Sequence, residues 1–253
     1  MTFFYAIRMN RLKKYFFVVT FGIIMTSMII FYGNSALSVF SSQESPRALI
    51  KGDENKSYIG LTFNVTWGDE MLEHTLDVLA ENSVEATFFL LGEWAEHHPH
   101  LVDLIAEKGH EIGMLGYRYK SYLKQDLTDV TNDLYRAKDT FTKLGYPDLN
   151  LLRTPSGHIN KEVLSLAVNQ GYQVIDWEVN SHDWETPGVQ MIIDQILTET
   201  SNGSIILMHA SDSATETPDA LKTILPDLKK KGFQFVIISE LISQAETETK
   251  PIE

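Results

Sequence analysis

Short apolar runs alternate with longer amphipathic ones along most of this chain, and that rhythm restricts it to few folds. Strand-length apolar segments fall at residues 57–63, 86–91, 111–115, 150–153, 173–179, 204–209 and 233–238. Helix-length segments fall between them at 70–81, 94–108, 127–144, 161–170, 189–200 and 218–231. In the segment 127–144, Leu127, Val130, Leu134, Ala137, Phe141 and Leu144 recur at three or four residues, which places them on one apolar stripe of a helix. Gly109, Gly145, Gly171 and Gly232 each follow a helical run, where glycine accepts the left-handed turn that ends a helix. Asp69 and Pro218 stand where helices should start, Asp69 as the cap of the helix from Glu70. Strands alternating singly with helices predict a parallel α/β domain. A barrel and a doubly wound sheet both satisfy the pattern, and periodicity does not choose between them.

The amino terminus has a different composition. Residues 15–32 carry no charge and are mostly Phe, Val, Ile, Met and Thr. As a helix they would extend about 27 Å, close to the hydrocarbon thickness of a bilayer. Arg8, Arg11, Lys13 and Lys14 precede this run, and the first acidic residue is Glu44. The bias of basic residues puts 1–14 in the cytoplasm, 15–32 in the membrane as an uncleaved anchor, and everything after it outside. A cleaved signal peptide is the alternative. Residues 33–50 read as a tether, 51–245 as the domain and 246–253 as a flexible solvated tail. The chain has 34 acidic against 21 basic residues, a net charge of −13, and such a surface repels nucleic acid. With no cysteine, it has no disulfide, thiolate metal site or cysteine nucleophile.

Both α/β architectures place function at the carboxyl ends of the strands. Those ends read Asn64–Val65–Thr66–Trp67–Gly68–Asp69–Glu70, Gly116–Tyr117–Arg118–Tyr119, Arg153–Thr154–Pro155–Ser156–Gly157, Asn180–Ser181–His182–Asp183–Trp184 and His209–Ala210–Ser211–Asp212. Polar groups converge there with aromatics, which suits a carbohydrate: hydroxyls need hydrogen bonds, and the apolar face of a sugar ring stacks on Trp or Tyr.

The series TFNVTWGDE, ATFFLLG, GHEIGMLGYRYKSY, LLRTPSG, NSHDW and GSIILMH resembles, in order and spacing over about residues 57–243, the motifs of the polysaccharide deacetylase (NodB-homology) family. Within it, WGDE, GYRYKSY and the basic-plus-apolar amino terminus resemble the membrane-anchored, sporulation-associated branch of endospore-forming bacteria. The resemblance implies a distorted (β/α)7 barrel acting on N-acetylated glycans such as peptidoglycan. It also implies metal-assisted amide hydrolysis, in which one Asp and two His hold a divalent ion such as zinc, a second Asp acts as base and a His as acid.

Several of those positions differ here. Where the family reads T-F-D-D, this chain reads Thr62–Phe63–Asn64–Val65, so Asn64 occupies the base position and Val65 a ligand position. Where it reads G-N-H-x-x-x-H, Leu115 and Tyr119 stand in place of the two His. Val65 and Leu115 carry no donor atom, and Tyr119 would ligate only as phenolate, so no metal cofactor is expected. Arg153, Pro155, Gly157, Asp183, Trp184 and His209 match the remaining motifs, and the resemblance implies that Arg153 and Asp183 orient the base and the acid, that His209 is the acid and that Trp184 lines the groove. Trp67, Tyr117, Tyr119, Pro155 and Trp184 are candidate glycan contacts. His182 and His158 adjoin the motifs and are weaker ones, while Asp69, Glu70 and His74 read as the start and surface of a helix. His97, His98 and His100 read as a solvated face, and His110 as a packing residue. Three functions remain open: a glycan-binding family member without metal-dependent deacetylation, a deacetylase with a rewired site using Asp183 and His209, and a structural or protein-interaction domain.

Overall fold

A computed structural model describes residues 47–244 and 248–251. The anchor expected over 15–32, the cytoplasmic segment and most of the tether lie outside the described residues. Among those described, no helix is long and apolar enough to cross a membrane.

The strands are β1 (Arg47–Lys51), β2 (Tyr58–Val65), β3 (Thr87–Leu90), β4 (Glu111–Met114), β5 (Leu151–Leu152), β6 (Gln173–Val174), β7 (Val179–Asn180), β8 (Ile205–His209), β9 (Gln234–Val236) and β10 (Glu248–Pro251). The helices are α1 (Glu70–Glu81), α2 (Gly92–His97), α3 (Pro99–Glu107), α4 (Leu127–Lys143), α5 (Lys161–Asn169), α6 (Val189–Glu199), α7 (Thr217–Lys230) and α8 (Ile238–Ser243). The main sheet runs β6-β5-β4-β3-β2-β8-β7, with β9 also on β2, and every pairing in it is parallel.

The result is a curled parallel half-barrel, the form that the expected distorted (β/α)7 barrel takes here. The ends, β6 and β7, are two-residue strands with no pairing to each other. The single strand expected over 173–179 is broken between them. Ile175 bridges to Leu49, and the Asp176 N–H donates to the Leu49 carbonyl at 2.7 Å. β1 therefore crosses the gap, with Lys51 bridging to Ser204 on the other side. Lys51 is buried there and pairs with Glu178 at 2.9 Å.

Two further expectations change. Residues 47–50 of the supposed tether, with Lys51 at the start of the expected domain, pair antiparallel with residues 248–251 of the supposed flexible tail. The helix expected over 94–108 is split at His98, because the proline ring of Pro99 disfavours helical backbone in the residue before it. Pro99 instead opens α3.

Alternation along the strands sorts side chains into two cores. Phe63, Val65 and Phe88 join the large core beneath the helices, with Leu72, Leu76 and Leu134. Phe89, Leu115, Leu151, Ile175 and Ile205 form a smaller core inside the curl. The stripe on α4 packs through Val130, Leu134, Ala137 and Phe141, while its expected first member, Leu127, is exposed in the opening turn; Gly109, Gly145, Gly171 and Gly232 all take positive φ.

Candidate active site

Register brings the site together. Asn64 on β2 pairs with His209 on β8, so the two carboxyl-end residues stand side by side. Behind His209, the turn Asp183–Glu185 carries a fully buried Asp183. Its Oδ1 lies 2.8 Å from His209 Nδ1, and its Oδ2 accepts from the His209 N–H at 2.7 Å and the Thr217 hydroxyl at 2.6 Å. Burial pushes the Asp183 carboxyl up, but the hydrogen bond and charge of His209, with Thr217 and the backbone N–H, outweigh it and hold it below its usual range. An ionised Asp183 only accepts, so Nδ1 carries the imidazole proton and Nε2 is the free nitrogen.

On the other side stands Arg153, with no solvent exposure. It donates to Asn64 Oδ1 at 3.1 Å, to the Ile175 carbonyl at 3.3 Å and to the Asp176 carbonyl at 3.2 Å, with its guanidinium 4.1 Å over Phe89. Burial pushes Arg153 down to about 9, opposed by the charge of Asp176. Because arginine only donates, Asn64 presents its oxygen to Arg153. What it has left for the pocket is an amide NH2, a donor that cannot act as a base.

These residues border a pocket of about 420 Å³ lined by Asn64, Thr66, Trp67, Tyr119, Ser156, Trp177, Asn180, Trp184, Leu207, His209 and Ser213. Its aromatics are accessible: Trp67 is 54% exposed, Tyr119 50% and Trp184 38%. The Trp184 ring meets His209 edge-on at 5.1 Å. Trp184 lies between His182 at φ 53° and Thr186 at φ 48°, left-handed conformations that cost a non-glycine residue about 1–2 kcal/mol each. Ser156, at φ 63°, lines the same pocket, so of the four non-glycine residues with positive φ among the described residues one lines the pocket and two flank its Trp184. Strain of this kind collects at functional sites.

The donor set does not fit a divalent ion. Val65 and Leu115 are fully buried and belong to the two apolar cores, and no three His, Cys, Asp or Glu side chains converge among the described residues. Val65 and Leu115 complete the packing where ligands would stand.

Of the expected site residues, Asn64, His209, Trp67, Tyr119 and Trp184 line the pocket, and Arg153 and Asp183 support it from behind. Two do not reach it. Tyr117 is 2% exposed, donates to Glu96 at 2.6 Å and lies under the Arg136 guanidinium at 3.7 Å, because the turn at Gly116 directs it towards α2 and α4. Pro155 is buried at the start of the turn Pro155–Gly157 and leaves the lining to Ser156.

Asp69 is not a side-chain cap. Asp212 accepts from the N–H groups of Asp69 and Met71, at 3.3 and 3.0 Å, and does that work from across the site. His182 and His158 stay outside the lining; His158 Nδ1 meets the Ser121 hydroxyl at 3.0 Å. His98 is half-buried, stacked on Trp94 at 4.9 Å, rather than on a solvated face. Trp177, Leu207 and Ser213 are pocket residues that sequence reasoning passed over. Trp177 sits inside the run 173–179, and its place beside Gly157, where a Cβ would stand 2.3 Å from its ring, is a long-range contact that no signal in the sequence showed.

The parallel half-barrel thus holds an aspartate-held histidine and a buried arginine at its carboxyl end, beside an aromatic-lined pocket. The chain belongs to the polysaccharide deacetylase (CE4, NodB-homology) family, whose model matches residues 51–175. It is 34% identical over 193 residues to a peptidoglycan-N-acetylglucosamine deacetylase of Bacillus cereus, covering 74% of this chain and 89% of that one. A solved peptidoglycan N-acetylglucosamine deacetylase superposes with a TM-score of 0.76 at 31% identity, covering 84% of this chain and 99% of the other. A CE4-family pseudoenzyme from Bacillus anthracis gives a TM-score of 0.74 at 28% identity, covering 79% and 70%. A mutant of that pseudoenzyme with restored enzymatic activity gives the same score. The chain spans 40% of the length of some curated relatives and 89% of others.

Proposed function

We propose that the chain is an exported, membrane-tethered member of the family that binds N-acetylated cell-wall glycan and has lost metal-dependent N-deacetylation, serving in envelope or spore assembly. One observation carries this reading: the position of the family's base holds an amide, Asn64, locked at 3.1 Å to a fully buried Arg153. Without a base the reaction loses help worth typically 10²–10⁴-fold, and without a Lewis acid several kcal/mol more. The pocket keeps what binding needs: three accessible aromatics and neutral donors and acceptors from Asn64, Thr66, Ser156, Asn180 and Ser213. The existence of a solved pseudoenzyme of similar fold supports such a course within the family. The tether rests on the apolar run 15–32 and the basic residues before it, and the role in sporulation on the motifs WGDE and GYRYKSY. Calorimetric titration with an N-acetylglucosamine tetramer tests the binding. Saturable binding weakened by Trp67→Ala is expected, and no binding by folded protein would refute it.

A second reading, residual hydrolysis, is favoured by the intact pair of Asp183 and His209. It requires acetate release that His209→Ala abolishes.

A further inference from the structure

The cations around the pocket are distributed in a way that neutral-glycan binding leaves unexplained. The chain carries −13, yet no carboxylate lines the pocket. The cation behind it, Arg153, bonds two carbonyls and an amide oxygen. On the rim, the segment 117–125 (YRYKSYLKQ) holds three cations and no acid, and Tyr119 in its middle lines the pocket. Arg118, Lys120 and Lys124 are exposed, and among the described residues none is in an ion pair; Lys138 and Lys161 share that state elsewhere on the surface, while Lys108, Lys143, Lys222 and Lys230 each sit against an aspartate, so it is the grouping of three such cations in one segment that sets this one apart.

The segment is a built one. Asp133 accepts from the Tyr117 N–H at 2.8 Å, the Arg118 N–H at 3.0 Å and the Tyr122 hydroxyl at 2.7 Å. Both its oxygens are thereby engaged with the segment's backbone and with Tyr122. The carboxylates next along the chain, Asp126 and Asp129, lie beyond it, at the cap and in the first turn of α4. A fixed backbone therefore displays three positive charges against the single carboxylate of Asp133 bonded into it, beside Tyr119 at the edge of a pocket that no carboxylate lines. In an otherwise acidic protein, such a patch attracts anions and repels few of them.

We propose that the glycan recognised here is anionic, carrying carboxylate or phosphate groups along the strand, and that Arg118, Lys120 and Lys124 select it. The proposal rests on the glycan-binding reading above and adds the charge of the ligand to it. The pocket aromatics take the sugar faces, while the rim cations meet the charged substituents of neighbouring units.

The test titrates the full-length protein with three probes at fixed ionic strength: a neutral N-acetylglucosamine tetramer, a hyaluronan tetrasaccharide in which carboxylated sugars alternate with N-acetylglucosamine, and poly(glycerol phosphate). The triple variant Arg118→Gln, Lys120→Gln, Lys124→Gln is compared with the native chain. Expected is tighter binding of one or both anionic probes than of the neutral one. That preference should weaken about tenfold in the variant and with rising salt, while neutral binding stays within about twofold. Preference for hyaluronan identifies the carboxylate as the source of charge, and preference for the phosphate polymer the phosphodiester. Equal binding of neutral and anionic probes, or an anionic preference the variant keeps, overturns the proposal but leaves glycan binding standing. Binding of no probe overturns both.

Discussion

Replacing Asn64 by aspartate puts a carboxylate where the structure holds a neutral amide against a buried cation. Arg153 is fully buried, pushed down to about 9, and its contact to Asn64 is 3.1 Å. With charge centres about 4 Å apart and an effective dielectric near 20, the new attraction is about 4 kcal/mol. Burying the incoming carboxylate at a position 3% exposed offsets much of that. The cation is already desolvated in the native chain, so only one new desolvation is charged against the gain. The net expectation is about 1–2 kcal/mol of added stability at pH 7, a rise in Tm of about 3–6 °C for a domain of this size. Arg153 would lower the carboxyl's folded pKa, so the gain is present above the unfolded value and is lost as pH falls through the folded one. Thermal unfolding of both proteins between pH 3 and 8 measures it. Destabilisation by Asn64→Asp at neutral pH would refute the reasoning, and would show that the charge of Asp176, which already acts on Arg153, leaves no gain for a second carboxylate.

Other consequences follow from the same geometry. His110 is buried with Nε2 unpartnered, and burial, helped by the charge of Lys108, pushes it down to about 4. The unfolded chain takes up that proton near 6.5, so stability should fall between about pH 6.5 and 4; because His110 borders an open cleft with Ser83, Glu85 and Lys108, where water screens it, the loss is about 2 kcal/mol. Urea unfolding against pH measures this, and His110→Leu should remove that part of the slope. Trp67→Ala, at a 54% exposed side chain, should leave unfolding unchanged and cost about 1.5 kcal/mol of glycan binding by calorimetry. Tyr117→Phe loses its bonds to Glu96 and Arg136 and should do the reverse, costing about 1 kcal/mol of stability and no affinity. Gly157→Ala, at φ 64° with Trp177 in the way, should destabilise by about 2–4 kcal/mol and quench binding as Trp177 shifts, seen in melts and indole fluorescence.

Much of this fold was legible in local pattern. The stripe of α4 and the glycines after four helices specify their elements without reference to distant residues. The misses share a cause in long-range contacts. β1 and β10 exist because residues about two hundred positions apart pair with each other. The run 173–179 has the composition of one strand, but Leu49 and Arg153 take its central backbone groups and divert it. The cap of α1 comes from Asp212, which no local rule connects to residue 69. The break at Pro99, by contrast, was readable. At the site, motif order identified Asn64, Asp183 and His209, and β2–β8 register then placed Asn64 against His209. Which tyrosine of Tyr117 and Tyr119 faces the pocket depends on the positive-φ turn at Gly116, which the spacing alone leaves open.

The central claim, that a glycan site persists without its base and ligands, is tested most directly by acetate release. The substrates are an N-acetylglucosamine tetramer and peptidoglycan, with and without Zn²⁺. The native chain is compared with the variant Asn64→Asp, Val65→Asp, Leu115→His, Tyr119→His and with His209→Ala. No acetate from the folded native protein under either condition, with Zn²⁺-dependent release from the fourfold variant, is the predicted result. Release by the native chain that His209→Ala abolishes would contradict it.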